Sequence, residues 1–329
     1  MPGRHCRVVL TFTTRAFRGR DRLITVGGPE QPIDETFEVA GTLDLARTLA
    51  PLYRGPADPT LKLAASRAAW ATSTPAGPAT LHVEFAGGKL RARAWGPGRR
   101  SVIAGVPALI GLHDEDRRLP PHHPVVTELA HRMPGLRLGR TGRVMDALVP
   151  AILEQKVTGK EASRGLRGLI YRYGEPAPGP FGLWLVPRPE VLTRLPYYAL
   201  HPLGIERRRA DTMRWAAAHA ARLEEIVDLP LDEAYSRLRS LPGVGAWTAA
   251  EVGVRALGDR DAVSVGDFHI PNLVAWALAG EPRGDDARML ELLEPYRGQR
   301  ARVIRLLEAS GIAAPRYGPR LSPRSIAGI

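Results

Sequence analysis

The stretch LRSLPGVGAWTAAEVGVRALGDRDAVSVGDFHIPNLVAWAL, Leu238 to Leu278, decides how the chain is read. A helix ends near Leu241, Pro242 blocks its continuation, and Gly243-Val244-Gly245 turns the chain tightly into a second helix that begins Trp247-Thr248-Ala249-Ala250. Without Cβ atoms the hairpin backbone can approach an anion closely. The N-terminus of the following helix offers free N–H groups and partial positive charge to that same anion. Such a device grips a phosphodiester backbone and reads no base sequence. An ordinary helix–Gly–helix turn uses the same residues, so the motif needs a second feature to carry weight. That feature lies one helix downstream, in Val263-Ser-Val-Gly-Asp267-Phe-His269.

Outward from this segment, composition narrows the partner. The chain has 329 residues, enough for two or three small domains, and its 44% hydrophobic content is that of a globular protein. Lys and Arg outnumber Asp and Glu by 46 to 34, a net charge of +12, so a polyanion is the expected partner. Nearly all of that positive charge is arginine, and a general arginine bias would give the same count. The single cysteine, Cys6, excludes an intrachain disulfide, a four-cysteine zinc site and a four-cysteine iron–sulfur cluster. No signal-peptide-like apolar stretch opens the sequence, and nowhere do about 18 apolar residues run without charge. The expectation is a cytoplasmic protein, nucleoid-associated in a prokaryote, with no membrane partner.

Residues 1–100 read as a small α+β N-terminal domain. Cys6–Phe12 has the composition of a strand, while Ala79–Phe85 and Leu90–Trp95 flank Gly87-Gly88 as a hairpin. Gly41–Tyr53 has the leucine spacing of a short helix. Beyond residue 100 the period becomes helical, in Val144–Gln155, Ala162–Tyr173, Ala210–Leu223 and Asp232–Leu241. The expected fold class is therefore an α+β N-terminal domain followed by an all-α helix-hairpin-helix core. We expect one helical domain over 143–259, a second assembled from 101–142 and 260–315, and a basic tail over 316–329.

The hairpin, the helix of about four turns after it, and Asp267 together resemble the signature of the helix-hairpin-helix DNA glycosylases. Trp247 directly behind the hairpin is similar to the 3-methyladenine DNA glycosylase II family; members that also cleave the strand carry lysine there. The likeness extends over roughly residues 134–310. Pro134-Gly-Leu-Arg-Leu138, Ala151-Ile-Leu-Glu-Gln-Lys-Val157, Leu203-Gly-Ile-Glu-Arg-Arg-Arg-Ala210 and Pro295-Tyr-Arg-Gly298 fall in the family's order. The N-terminal domain matches in length and strand content alone.

The resemblance implies a monofunctional glycosylase that hydrolyses the N-glycosidic bond of damaged, alkylated bases in double-stranded DNA, as a monomer and without a required cofactor. Asp267 would stabilise the positive charge that develops on the sugar, and it would equally serve as the N-cap of the helix behind it. Trp247 would stack on the flipped base, unless it is a core tryptophan. No lysine follows Lys160, which disfavours a Schiff-base lyase. DNA contacts would come from Gln155, Lys156, Gly243, Val244, Gly245, Ala246, Thr248 and His269, the histidine being equally at home on a helix surface. Arg207, Arg208 and Arg209 read either as backbone contacts or as a solvated charge run. A monovalent cation would rest on the carbonyls of Arg239, Leu241 and Val244.

Three positions depart from the family. Lys156 stands where an apolar wedge is usual, leaving open whether it, Gln155 or a nearby loop fills the gap behind the flipped base. Glu251 and Arg305 replace pocket aromatics, and opposite charges there predict that the two pair and narrow the pocket. The altered wedge and pocket raise an alternative, a non-catalytic binder of lesions or unusual DNA structures on the same fold.

Overall fold

A computed structural model describes residues 31–114 and 117–315. The expected Cys6–Phe12 strand, Cys6 itself and the basic tail over 316–329 lie outside the described residues. Five antiparallel strands, β1 (Ile33–Glu38), β2 (Leu61–Leu63), β3 (Arg67–Thr74), β4 (Gly77–Ala86) and β5 (Lys89–Trp95), form one sheet in the order β1-β5-β4-β3-β2. The β4–β5 hairpin closes through Gly87 and Gly88 at φ 57° and 76°, and two left-handed residues in a two-residue loop match the twist of the strands they join. One face of this pair buries Leu81, Val83, Leu90, Ala92 and Ala94.

That face is covered by the short helix α1 (Arg99–Ala104) and the turn after it, whose Val102, Ile103, Val106, Leu109 and Ile110 share the sheet's core. The packing of the sheet thus runs about ten residues past the boundary expected at residue 100, because an antiparallel sheet needs a layer over its apolar face. The remaining chain is helical: α2 (Pro124–Arg132), α3 (Val144–Glu154), α4 (Gly159–Tyr173), α5 (Arg207–Ala218), α6 (Leu231–Arg239), α7 (Ala246–Val252), α8 (Ile270–Ala279), α9 (Asp286–Leu293) and α10 (Arg300–Ser310). The apolar run expected as one helix over Ala210–Leu223 breaks at His219, whose N–H is shared between the Trp215 and Ala216 carbonyls.

Two cores lie in the helical part. One is built from α3 to α7, around Leu148, Ile152, Leu169, Met213 and Val252. The other joins α2 to α8, α9 and α10 around Leu129, Val274, Leu293 and Leu307. Pro134–Leu138, an early landmark of the sequence, clasps sheet and helices. Arg137 donates to the carbonyls of Ala40 and Thr42, Asp44 N–H donates to Gly135, and the buried Arg302 guanidinium pairs with Asp114, which also accepts Leu138 N–H. A side chain at Gly135 would sit 2.6 Å from the Asp44 nitrogen, so the clasp requires glycine there. Among the described residues no helix is long and apolar enough to cross a membrane.

Candidate nucleic-acid interface and catalytic centre

The hairpin between α6 and α7 is built as its residues dictate. Gly243 has φ +86°, and a Cβ there would lie 2.1 Å from the Thr212 hydroxyl of α5, so both conformation and packing demand glycine. Gly245 differs. Its φ is −96° and a Cβ would meet nothing within 4 Å, so nothing in the described fold needs glycine at this exposed position. Val244 is buried and presents only its backbone outward, while Ala246 is exposed. The turn is braced from behind by Gln155, whose amide donates to the Gly243 carbonyl at 2.9 Å and to the Thr248 hydroxyl at 2.8 Å.

Gln155 is thereby committed to the hairpin, and Lys156 beside it is exposed. Lys156 has φ 54°, the one positive φ outside glycine among the described residues. It occupies the left-handed position just past the end of α3, where glycine would be the unstrained choice.

After α7 the helix loosens into a π-turn over Gly253–Leu257, giving about three turns rather than four. The Tyr235 hydroxyl, which donates to Asp259 at 2.6 Å, packs against the α-carbon of Gly253; a Cβ there would lie 2.0 Å from that oxygen. The chain then returns through Ala262–Gly266 to Asp267, which it brings to Trp247. The indole N–H donates to Asp267 Oδ2 at 3.1 Å, while Oδ1 accepts the N–H groups of His269 at 2.7 Å and Ile270 at 2.9 Å. Asp267 therefore secures the start of α8, and a second oxygen remains beside the tryptophan. Three N–H donors fix the carboxylate without burying it.

No family model matches the chain. The probable bifunctional transcriptional activator/DNA repair enzyme AlkA of Mycobacterium tuberculosis is 31% identical over 147 residues, 44% of this chain and 29% of that protein. The putative DNA-3-methyladenine glycosylase YfjP of Bacillus subtilis is 25% identical over 160 residues, 46% of this chain and 55% of its relative. The chain thus spans between about a third and about half of the length of these curated relatives. The solved 3-methyladenine DNA glycosylase of Archaeoglobus fulgidus superposes with a TM-score of 0.69, covering 84% of this chain and 98% of that one at 18% identity. The chain is similar in sequence to these DNA repair proteins over nearly half its length and shares its fold with the solved glycosylase. Its small antiparallel sheet and many helices superpose on that structure over most of the chain.

The expected pairing of Glu251 with Arg305 does not form. Glu251, buried one turn beyond Trp247, pairs with Arg255 and accepts the Ser264 hydroxyl at 2.5 Å. Arg305 donates instead to Glu308 at 2.6 Å and to the Arg47 carbonyl. The reason is local: Arg255 is four residues from Glu251 on the same helical face, and Glu308 is three from Arg305. The spacing was visible in the sequence. Glu251 acquires a different function through Ser264, whose carbonyl accepts Asp267 N–H at 3.1 Å, so the carboxylate ties the hairpin helix to the loop that carries Asp267.

Two further residues stand apart from expectation. Arg209 is buried and donates to the Leu153 and Gly204 carbonyls, closing the end of α3, so it is removed from any DNA surface; Arg207 and Arg208 remain exposed. Phe268 was missed. It is 74% exposed beside Asp267, with its ring edge-on to His269 at 5.0 Å, and an apolar residue in a polar loop was the available signal. For a monovalent cation, the carbonyls of Arg239, Leu241 and Val244 belong to one turn. Leu241 accepts Val244 N–H at 3.1 Å and keeps a second lone pair on its carbonyl, and carbonyl oxygens are the donor type that a hard cation takes.

Proposed function

We propose that the chain is a monofunctional DNA glycosylase that hydrolyses the N-glycosidic bond of damaged, alkylated bases in double-stranded DNA. The observation that carries this reading is the Trp247–Asp267 contact immediately behind the hairpin. As the bond from C1′ to the base breaks, its electron pair leaves with the base and positive charge grows on the sugar. Asp267 Oδ2 beneath C1′ stabilises that charge; at about 4 Å and an effective dielectric near 20 the attraction is roughly 4 kcal/mol, or about a thousandfold in rate. Water then adds to C1′ and gives up a proton, for which the same carboxylate is the acceptor. Trp247 and Phe268 offer aromatic faces to the extruded base.

Gly243, Gly245 and the start of α7 hold the DNA backbone, with Thr248 and Gln155 behind them and Lys156 and His269 at the rim. The carbonyls of Arg239, Leu241 and Val244 would hold a monovalent cation, which would add positive charge beneath the phosphate. Tryptophan in place of lysine at position 247 supports hydrolysis without strand cleavage. We read the three buried cores as domains, with the sheet and α1 preceding a central helical unit near 143–259 and a second helical unit on either side of it.

Alkylated duplex DNA incubated with the wild type should release bases detectable by mass spectrometry, and Asp267→Asn should release none while still binding. Equal release by the two proteins would overturn the mechanism. Absence of release by both, with binding intact, would leave a lesion binder on this fold.

A further inference from the structure

We infer that duplex DNA held at the hairpin is also gripped along α4, on a basic track that ends in a groove at the edge of the sheet. This rests on the reading of the chain as a duplex-DNA-binding glycosylase. Lys160, Arg164, Arg167 and Tyr171 recur at four- and three-residue intervals, which puts them on one stripe of the 15-residue helix. The stripe starts at the hairpin, since Gln155, which braces it, is followed at once by Lys156 and the α4 N-cap Thr158. Its far end opens on a groove of about 430 Å³ where Arg164, Arg167 and Tyr171 face Lys62 of the edge strand β2.

Charge along this line is uncompensated. Several surface arginines elsewhere are matched to carboxylates, as in Arg188–Glu175, Arg288–Glu281 and Arg297–Glu294, and unmatched ones such as Arg194 and Arg222 stand on other helices, whereas here the cations share one row. Among the described residues, Lys160, Arg164 and Arg167 form no ion pair. The acidic groups nearby are engaged in their own turns. Glu161 closes a capping box with Thr158, and Asp58, which also lines the groove, accepts the backbone N–H groups of Arg54, Thr60 and Leu61. Lys62 uses one proton on the Phe181 carbonyl at 2.6 Å and has two left. Tyr171 is 53% exposed, a face suited to a sugar.

The layout identifies the ligand as extended. From Lys160 to Tyr171 the helix rises about 16 Å, close to the rise of about five base pairs of duplex. A free nucleotide would need these cations to converge on one phosphate; they are spread in a row. Phosphates flanking the lesion are so spaced.

Counterion release gives the test. Affinity for a duplex with one central abasic-site analogue, measured against salt, should show a log–log slope smaller by about 1.8 for Arg164→Ala/Arg167→Ala than for the wild type, two phosphate contacts at about 0.9 each. Lys62→Gln, on a different element, should lower it by about 0.9. Trimming the duplex to about four base pairs on the side that lies over α4, and not on the other, should abolish these differences. Wild-type binding with unchanged slopes in folded variants would overturn the track alone. Failure of the wild type to bind any duplex would overturn the glycosylase reading and the track with it.

Discussion

Asp267 divides its oxygens: one accepts the first N–H groups at the start of α8 and the other meets Trp247. Asp267→Asn should therefore cost little in folding and about a thousandfold in base release, checked by thermal melting beside single-turnover kinetics. The two hairpin glycines offer a sharper contrast. Gly243→Ala meets both a left-handed φ and Thr212, and should destabilise the fold by more than about 1 kcal/mol. Gly245→Ala meets neither and should leave melting unchanged or slightly raised, yet weaken duplex binding because an added methyl separates backbone from phosphate. Loss of stability at 245 without loss of affinity would remove the phosphate contact. At this scale the sequence showed the tight turn at Gly243 and the local bonding of Asp267 at a helix start, both of which the fold contains. It misled at Arg209, because a run of three arginines does not reveal that one of them turns inward to close a helix.

At the scale of elements, the bond from Ser264 to Glu251 matters more than the pocket charges expected of Glu251. It holds α7 against the loop before Asp267. Ser264→Ala leaves a buried carboxylate oxygen without its donor, at a cost of about 1–3 kcal/mol in stability. Because the loop carries Asp267, base release should fall by about tenfold or more with substrate affinity little changed, a split that simple loss of fold would not produce. Helices and the β4–β5 hairpin were legible from period and turn residues, and α3, α4 and α6 start and stop within a few residues of expectation. The π-turn after α7 was not: it begins at Gly253, against which the Tyr235 ring packs, a contact between segments that no local pattern encodes. Glu251 was misassigned for the opposite reason: its local partner, Arg255, was present in the sequence four residues on, and a long-range partner was preferred.

Across the whole molecule, sheet and helical core meet at Asp146. In the first turn of α3 it accepts the Thr72 hydroxyl of β3 at 2.5 Å, and burial pushes its carboxyl up to about 7. A carboxyl whose folded value exceeds its unfolded one, near 4, stabilises the fold in its protonated form, so that contribution is lost as pH rises toward about 7. Asp146→Asn should accordingly gain in melting temperature relative to the wild type between pH 5 and pH 8; a constant difference would mean that the carboxyl is not protonated in the fold. The net charge of +12 is a property of this scale, but which cations lack a carboxylate partner is visible only once the acids are placed.

The core that joins α2 to α8, α9 and α10 is drawn from chain on both sides of the central helices. Where that central segment begins and ends, Thr141 and Gly142 donate to the carbonyls of Arg255 and Ala256 at 2.9 and 3.0 Å. Kinetically, the outer core cannot close until these distant ends have met, and the central helices, once folded, bring them together without further loss of loop entropy. Assembly should therefore be ordered: the Gly243 hairpin matures first, and the loop that carries Asp267 is set in place last, on a scaffold already complete.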